Sequence, residues 1–223
     1  MKKIIQHQID LYQPNFIKHG PVPEGMFCNN MTTQNERYRQ LLNPLLNCKN
    51  SNFSICDLGS GLCHLHEYLI ENNVIHNYTG IEIVSEMNDF VQNKFDNISI
   101  LNVDFLDVNF KDNFDFIVLS GTLNLKGNIS NEEWEHYVFE VIKKMFALSN
   151  YAISFNLLTS YSTFSNDELF YISPERIIDF IQNNLSRFYQ ISTSYPLYEF
   201  TVTVIKKDVI QANYVHNDFK KYF

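Results

Sequence analysis

Two carboxylates and a pair of glycines are the residues in this chain best placed to do chemistry. Ile55-Cys56-Asp57-Leu58-Gly59-Ser60-Gly61-Leu62-Cys63 runs from an apolar stretch into an acid, then two glycines, then a helical pattern. That order reads as strand, tight turn, helix. Glycines in such a turn let the backbone approach a ligand at the strand's carboxyl end. Glu82 follows about 20 residues on, where an acid can hold ribose hydroxyls. It closes a second strand, Tyr78-Thr79-Gly80-Ile81-Glu82-Ile83. The pair of features describes a nucleoside-binding βαβ unit, although a glycine turn alone can also be purely structural.

Electrostatics narrows the nucleoside. A dinucleotide fingerprint needs a third glycine at position 64, where His64 stands. A dinucleotide also brings a pyrophosphate to the helix N-terminus, and Asp57 would repel it. A ligand carrying an ammonium and a sulfonium inverts that preference. Asp57-x-Gly59-x-Gly61-x-Cys63 resembles motif I of the class I S-adenosylmethionine-dependent methyltransferases, with Cys63 at the family's third glycine.

Later acids fall in the order this resemblance requires. Asn102-Val103-Asp104-Phe105 follows the apolar run Ile98-Ser99-Ile100-Leu101. Asn113 to Ser120 resembles the fourth strand and opens into Gly121-Thr122-Leu123-Asn124. The resemblance implies an S-adenosylmethionine site, with S-adenosylhomocysteine as product. Asp57, Gly59, Ser60 and Gly61 line it. Glu82 and Ile83 sit at the ribose, Asp104 and Phe105 at the adenine, and Ser120 and Gly121 past the fourth strand. Arg37 either pairs with the methionine carboxylate or lies on the surface, and Lys18 has the same two readings.

The elements that must position these residues are legible from periodicity. Asn35 to Leu46 reads as a helix before the first strand. Leu65 to Glu71 is the first crossover helix, and Val84 to Phe95 the second, with Ser85 as its N-cap. Asn131 to Leu148 is a long helix opened by Ser130 and Glu133 in a capping box. Tyr151 to Leu157 is a fifth strand. Ser173-Pro174-Glu175 opens a helix running to about Asn183. Phe188 to Ser192 and Glu199 to Ile205 are antiparallel neighbours. Ile4 to Asn30 shows no sustained period. The expectation is an α/β Rossmann-like fold: seven mostly parallel strands, helices on both faces and a C-terminal antiparallel hairpin. Residues 1–34 form a lid segment, 35–206 the core and 207–223 a tail.

Bulk composition agrees with one such domain. The chain has 223 residues and no linker or repeat. A net charge of −8 argues against nucleic acid, which normally meets a basic face. No apolar run reaches membrane-spanning length, and Ile4-Ile5 is too short for a signal peptide core. The expected location is therefore the cytoplasm, without membrane insertion. Cys28, Cys48, Cys56 and Cys63 match no zinc spacing and are expected as reduced thiols. Cys63 is either a thiol of lowered pKa at a helix start or a small residue filling a glycine site. His64 and His66, two apart, cannot share a helical metal face.

Candidates for the transfer itself follow from topology, since ligands lie outside the carboxyl ends of parallel strands. His19 and Glu199 can act as bases. Asn124, Asn156, Tyr161, Tyr171 and Tyr198 can orient an oxygen-rich acceptor. His19 can equally satisfy a turn, Glu199 a solvated rim, and each tyrosine ordinary packing. A sugar hydroxyl would need a base at neutral pH, whereas a phosphate or phosphoramidate oxygen would need only orienting donors. His19-Gly20, Gly121 to Asn124, Phe155 to Tyr161, Leu169 to Tyr171 and Leu197 to Thr201 resemble a bacterial methyltransferase subfamily found with surface-polysaccharide biosynthesis. That resemblance implies a capsular or lipopolysaccharide building block as the small-molecule acceptor. An N-methyltransferase or a non-catalytic S-adenosylmethionine-binding protein are the alternatives. No proline-rich element follows the fourth strand, against flipped-base chemistry. No acid cluster follows the fourth or fifth, so no metal is expected.

Overall fold

The computed structural model describes residues 1–28, 30–47 and 52–223. Cys48, expected as a free thiol, lies outside the described residues. Cys28, Cys56 and Cys63 form no disulfide among the described residues.

Helices α1 (Lys2–His19) and α2 (Met31–Leu46) precede the sheet, separated by a 3₁₀ turn at Pro23–Met26. Then β1 (Phe53–Leu58), α3 (His64–Glu71), β2 (His76–Ile81), α4 (Ser85–Lys94), β3 (Ser99–Leu101) and β4 (Phe114–Leu119) alternate. They are followed by α5 (Asn131–Leu148), β5 (Ser149–Thr159), β6 (Tyr171–Ile172), α6 (Pro174–Asn184), β7 (Tyr189–Ser192), β8 (Glu199–Ile205) and α7 (Lys207–Asn213). The sheet order is β3-β2-β1-β4-β5-β8-β7, with β6 paired to β5 off that path. Strands β1 to β5 pair in parallel, while β8 runs antiparallel to both β5 and β7. This is the expected Rossmann-like sheet with its antiparallel hairpin. It has eight strands rather than seven because Tyr171–Ile172 adds a short strand to Leu158–Thr159.

Both faces of the sheet are buried, so its central strands carry apolar side chains on both faces rather than at alternate positions only. Phe53, Ile55, Phe116 and Val118 meet Leu41 and Leu45 of α2, Leu65 and Leu69 of α3, and Val91 of α4. Cys56, Leu58, Ile117, Leu119, Ile153 and Phe155 meet Trp134, Val138 and Ile142 of α5, and Ile177 and Ile181 of α6. Trp134 is fully buried and its Nε1 donates to Leu123 O at 2.9 Å. That bond ties α5 to the loop leaving β4.

Three details differ from the sequence reading. The N-terminal stretch is helical from Lys2 to His19. Its buried stripe is Ile4, Gln8 and Phe16, so a polar residue interrupts the apolar period, and Pro14 lies inside the helix. Helix α2 starts at Met31, four residues earlier than expected, because Asn30 Oδ1 accepts from Thr33 N at 2.9 Å. Ser85 is not the cap of α4: Val84 holds that position without a side-chain bond, and Ser85 Oγ donates to Glu86. The caps at Ser130 and Ser173 are as expected, accepting from Glu133 N and Arg176 N. His66 shares a 2.9 Å hydrogen bond with His76 at the start of β2, remote from the carboxyl ends.

Trp134→Leu removes both the ring and the bond to Leu123. Large-to-small changes in a packed core cost about 3–5 kcal/mol. Urea unfolding should show a loss of that size with an unchanged slope.

Candidate functional site

The strand order reverses between β1 and β4, because β2 and β3 lie to one side and β5, β8 and β7 to the other. Ligands of open α/β sheets sit at such a switch point, outside the carboxyl ends. The loops leaving β1, β2, β3 and β4 bring Gly59 to Gly61, Glu82, Asp104 and Ser120-Gly121 to this end.

Backbone conformation explains the glycines. Gly59 has φ +73° and Gly61 φ +52°, a region disfavoured for side chains. Gly59 is also constrained by space: a Cβ there would lie 2.2 Å from Thr122 Oγ1 on the β4 loop. Cys63, at the family's third glycine, takes φ +59° and is fully buried. Burial pushes its thiol up to about 12, so it fills the glycine site and is not an activated nucleophile.

The two acids at the turn are both buried. Glu82 Oε2 accepts from Gly61 N and Oε1 from Val84 N, each at 2.9 Å. Burial raises its pKa, and these backbone bonds oppose the rise. Its main-chain carbonyl is held by Asn88 and Asn102. Asp57 Oδ2 accepts from Tyr78 OH at 2.6 Å. Burial pushes the Asp57 carboxyl up to about 7, with the Tyr78 bond acting downward and Glu82 adding to the rise. Ser60 Oγ is buried and has no partner. Asp104 is half-buried and accepts from Leu106 N through Oδ1, while Phe105 turns into the core. Ile83 is half-buried beside Glu82. Ser120 Oγ accepts from Gln34 Nε2 at 3.2 Å, and Gly121 N donates to Asn156 Oδ1 at 2.8 Å. Two buried carboxylates beside a glycine turn suit a cationic nucleoside and oppose a pyrophosphate. The unpartnered Ser60 hydroxyl can serve the same ligand. The residues present therefore fit S-adenosylmethionine.

Three candidates change role. Arg37 is not available to a methionine carboxylate: its Nε and Nη2 donate to Glu199, and its Nη1 to Gln34 Oε1 at 3.2 Å. Glu199 is correspondingly no free base. Its side chain is only 2% exposed and also accepts from Asn156 Nδ2. Asn156, fully buried, links that ion pair to the Gly121 amide rather than offering itself to a ligand. No spacing rule joins positions 37, 156 and 199, so only the folded chain reveals this network.

The remaining acceptor candidates lie around β5 and β8. Tyr161 is exposed and donates to Glu175 at 2.8 Å. Tyr198 OH accepts from Thr163 Oγ1, and Tyr171 OH from Asn166 N. His19 is exposed at the end of α1. Asn124 is buried in the loop after β4. Sequence reasoning expected residues 1–34 as a lid but missed helix α1 and the contacts this segment makes. Tyr12 lies near Glu82, Gln8 reaches the Leu125 carbonyl, and Met26 lies over Gly61. The missing apolar period hid that helix. Among the described residues, no group of three or more His, Cys, Asp or Glu side chains is gathered to hold a metal.

Comparison with known proteins supplies the class. No family model matches it. The protein Rv1506c of Mycobacterium tuberculosis, named as a methyltransferase, is 34% identical over 157 residues, covering 69% of this chain and 93% of that protein. Among solved structures, the N-methyltransferase NodS of Bradyrhizobium japonicum in complex with S-adenosylhomocysteine superposes with a TM-score of 0.64 at 15% identity. The match covers 88% of this chain and 98% of NodS. The magnesium protoporphyrin IX methyltransferase of Synechocystis with bound S-adenosylhomocysteine gives a TM-score of 0.62 at 12% identity, covering 92% and 97%. The chain belongs to the S-adenosylmethionine-dependent methyltransferases. Its fold is the class I fold, and its cofactor is S-adenosylmethionine.

Gly59→Val places a branched side chain against Thr122 and strains a left-handed backbone. Calorimetry should detect no S-adenosylhomocysteine binding to this variant, while circular dichroism stays that of the parent. The Asp57 carboxyl sets a pH dependence. Its folded pKa is raised, so the free protein loses stability as pH climbs from about 4 to 7. The ligand's ammonium favours the ionised form, so S-adenosylhomocysteine affinity should rise over the upper part of that window. Calorimetry in two buffers should show net proton release near about pH 6.5. Asp57→Asn should remove both effects.

Proposed function

We propose that this methyltransferase O-methylates a sugar, a nucleotide-linked sugar, or a phosphate- or phosphoramidate-bearing precursor of bacterial capsular polysaccharide, in the cytoplasm. The observation that carries the reading is the cluster of hydroxyl and carboxamide groups at the carboxyl ends of β4 and β5. The loop from Leu158 to Tyr171 meets the Tyr198 turn through Thr163 and Tyr198. It meets the loop after β4 through Phe170 N, which donates to Asn124 O at 2.8 Å. Tyr161, Tyr171, Tyr198 and Asn124 are thus carried on connected loops, as an oxygen-rich acceptor requires. The short blocks that resemble the surface-polysaccharide subfamily, His19-Gly20 apart, fall on or beside these same loops.

S-adenosylmethionine supplies the activated methyl group. In this reading Asp57 and the Gly59–Gly61 turn hold its charged end. Glu82 holds the ribose, and Asp104 with the Phe105 amide holds the adenine. Ser120 and Gly121 flank the transfer point, positioned by Gln34 and Asn156. Helix α1 and the Pro23–Met26 turn act as the lid and exclude water, which favours in-line attack by the bound acceptor over hydrolysis. His19 is the remaining basic candidate if the nucleophile is a hydroxyl. Glu199 acts through Asn156 as a positioning residue.

The test is a screen of nucleotide sugars, sugar phosphates and phosphoramidates with labelled S-adenosylmethionine, read by mass spectrometry. A methyl ether or methyl ester product is expected. Methylation confined to amines would overturn the assignment. With the acceptor found, Glu199→Gln should lower stability by about 3 kcal/mol or more, because it leaves a buried guanidinium uncompensated. It should leave the shape of the pH–rate profile unchanged, whereas a base would take the basic limb with it.

A further inference from the structure

The loop leaving β4 holds an oxygen whose hydrogen-bonding capacity the protein does not use. Asn124 is 9% exposed, and its Oδ1 is buried without a partner. Its backbone is fixed on both sides: N donates to Gly121 O at 3.1 Å and O accepts from Phe170 N at 2.8 Å. The amides of Lys126 and Gly127 bond to Glu168 O, and Leu125 bridges Leu169. The side chain therefore stands on a clamped stretch of backbone. A buried acceptor atom left unmade costs roughly 1–3 kcal/mol, so its retention calls for a ligand.

A second unpartnered atom borders the same loop. Helix α1 crosses it, with Gln8 Nε2 donating to Leu125 O at 3.2 Å. The ring of His7 lies on Gly127, where a Cβ would be 2.4 Å from Nε2. That nitrogen is also buried and without a partner. The cations nearby are committed elsewhere. Lys126 Nζ donates to the carbonyls of Asp167 and Gly127, and Arg37 is bound to Glu199. A carboxamide oxygen takes a hydrogen and repels an anion.

We propose that Asn124 Oδ1 accepts a hydrogen bond from an uncharged hydroxyl of the methyl acceptor, and that this loop selects a neutral polyol face over a free phosphoryl anion. The inference rests on the reading above and narrows it to a saccharide hydroxyl.

Asn124→Leu tests it, being close in shape and lacking the polar atoms. The probes, added to the S-adenosylhomocysteine complex, are methyl α-D-glucopyranoside and inorganic phosphate. Thermal unfolding of the free variant should match or exceed the parent, since no bond is lost. Its S-adenosylhomocysteine affinity should stay within about twofold. In amide NMR spectra the glucoside should shift residues 121–127 and 168–170 of the parent and leave the variant unmoved. A midpoint lowered by more than about 5 °C would mean a structural partner. A tenfold loss of S-adenosylhomocysteine affinity would assign the oxygen to the cofactor's ammonium instead. Phosphate shifting the loop, or neither probe doing so, would also overturn the inference. Those failures leave the O-methylation reading standing, whereas an empty precursor screen would sink that reading and leave the stability result unaffected.

Discussion

Glu82 carries its carboxylate at the end of β2, buried where water cannot stabilise the charge. Two backbone amides do so instead, one from Gly61 in the β1 turn and one from Val84 at the start of α4. A buried carboxylate without such bonds would be expensive. With them it becomes a tie between two adjacent strand ends. The turn can hold left-handed backbone at Gly59 and Gly61 because Ile81 O also accepts from Gly59 N and Ser60 N. The side chain proposed to hold the ribose thus also shapes the turn, so its loss would disturb both strand ends.

A second polar layer lies between α2 and the strands β5, β7 and β8. Arg37, Glu199 and Asn156 form its inner part. Ser192 with Gln40, Ser154 with Thr203 and Tyr195 with Thr201 continue it outward. Apolar contact from Leu41, Leu42 and Leu45 supplies the burial on the neighbouring stretch of the helix. Polar contacts of this kind fix register, because each donor must meet its own acceptor, whereas apolar side chains tolerate sliding. The register of α2 in turn sets Gln34 against Ser120 and, through Asn156, the amide of Gly121. The helix before the first strand is therefore part of the site although it lies far from it in sequence.

Helix α1 closes the arrangement from the opposite side. Ile4 enters the core beside Phe105 and Leu123, and Phe16 joins the cluster around α2 and α3. Between them Gln8, Tyr12 and Gln13 reach Leu125 O, the vicinity of Glu82 and Glu86. One helix thereby touches the loops after β2 and β4. Its stripe mixes apolar anchors with polar contacts, as suits the lid proposed for it.

Local signals were enough for the sheet and the cofactor end. Alternating apolar runs, the acid–glycine turn and the spacing to Glu82 and Asp104 depend on neighbours in sequence, so their order alone identified the βα units and the class of ligand. Capping at Ser130 and Ser173 was legible for the same reason. Helix α1 was not, because Gln8 and Pro14 break the pattern that marks a helix and only contacts with distant loops stabilise it. The roles of Arg37, Glu199 and Asn156 were likewise beyond reach. Each residue type fits a ligand or a base when read singly, and an ion pair between positions 162 residues apart exists only once β8 lies beside β5 and α2 covers both. Short-range periodicity determined the elements, and the resemblance of the acid–glycine turn to motif I pointed to the cofactor. Tertiary packing decided which charges meet and neutralise one another, because the cost of burying a charge depends on surroundings that no local stretch contains.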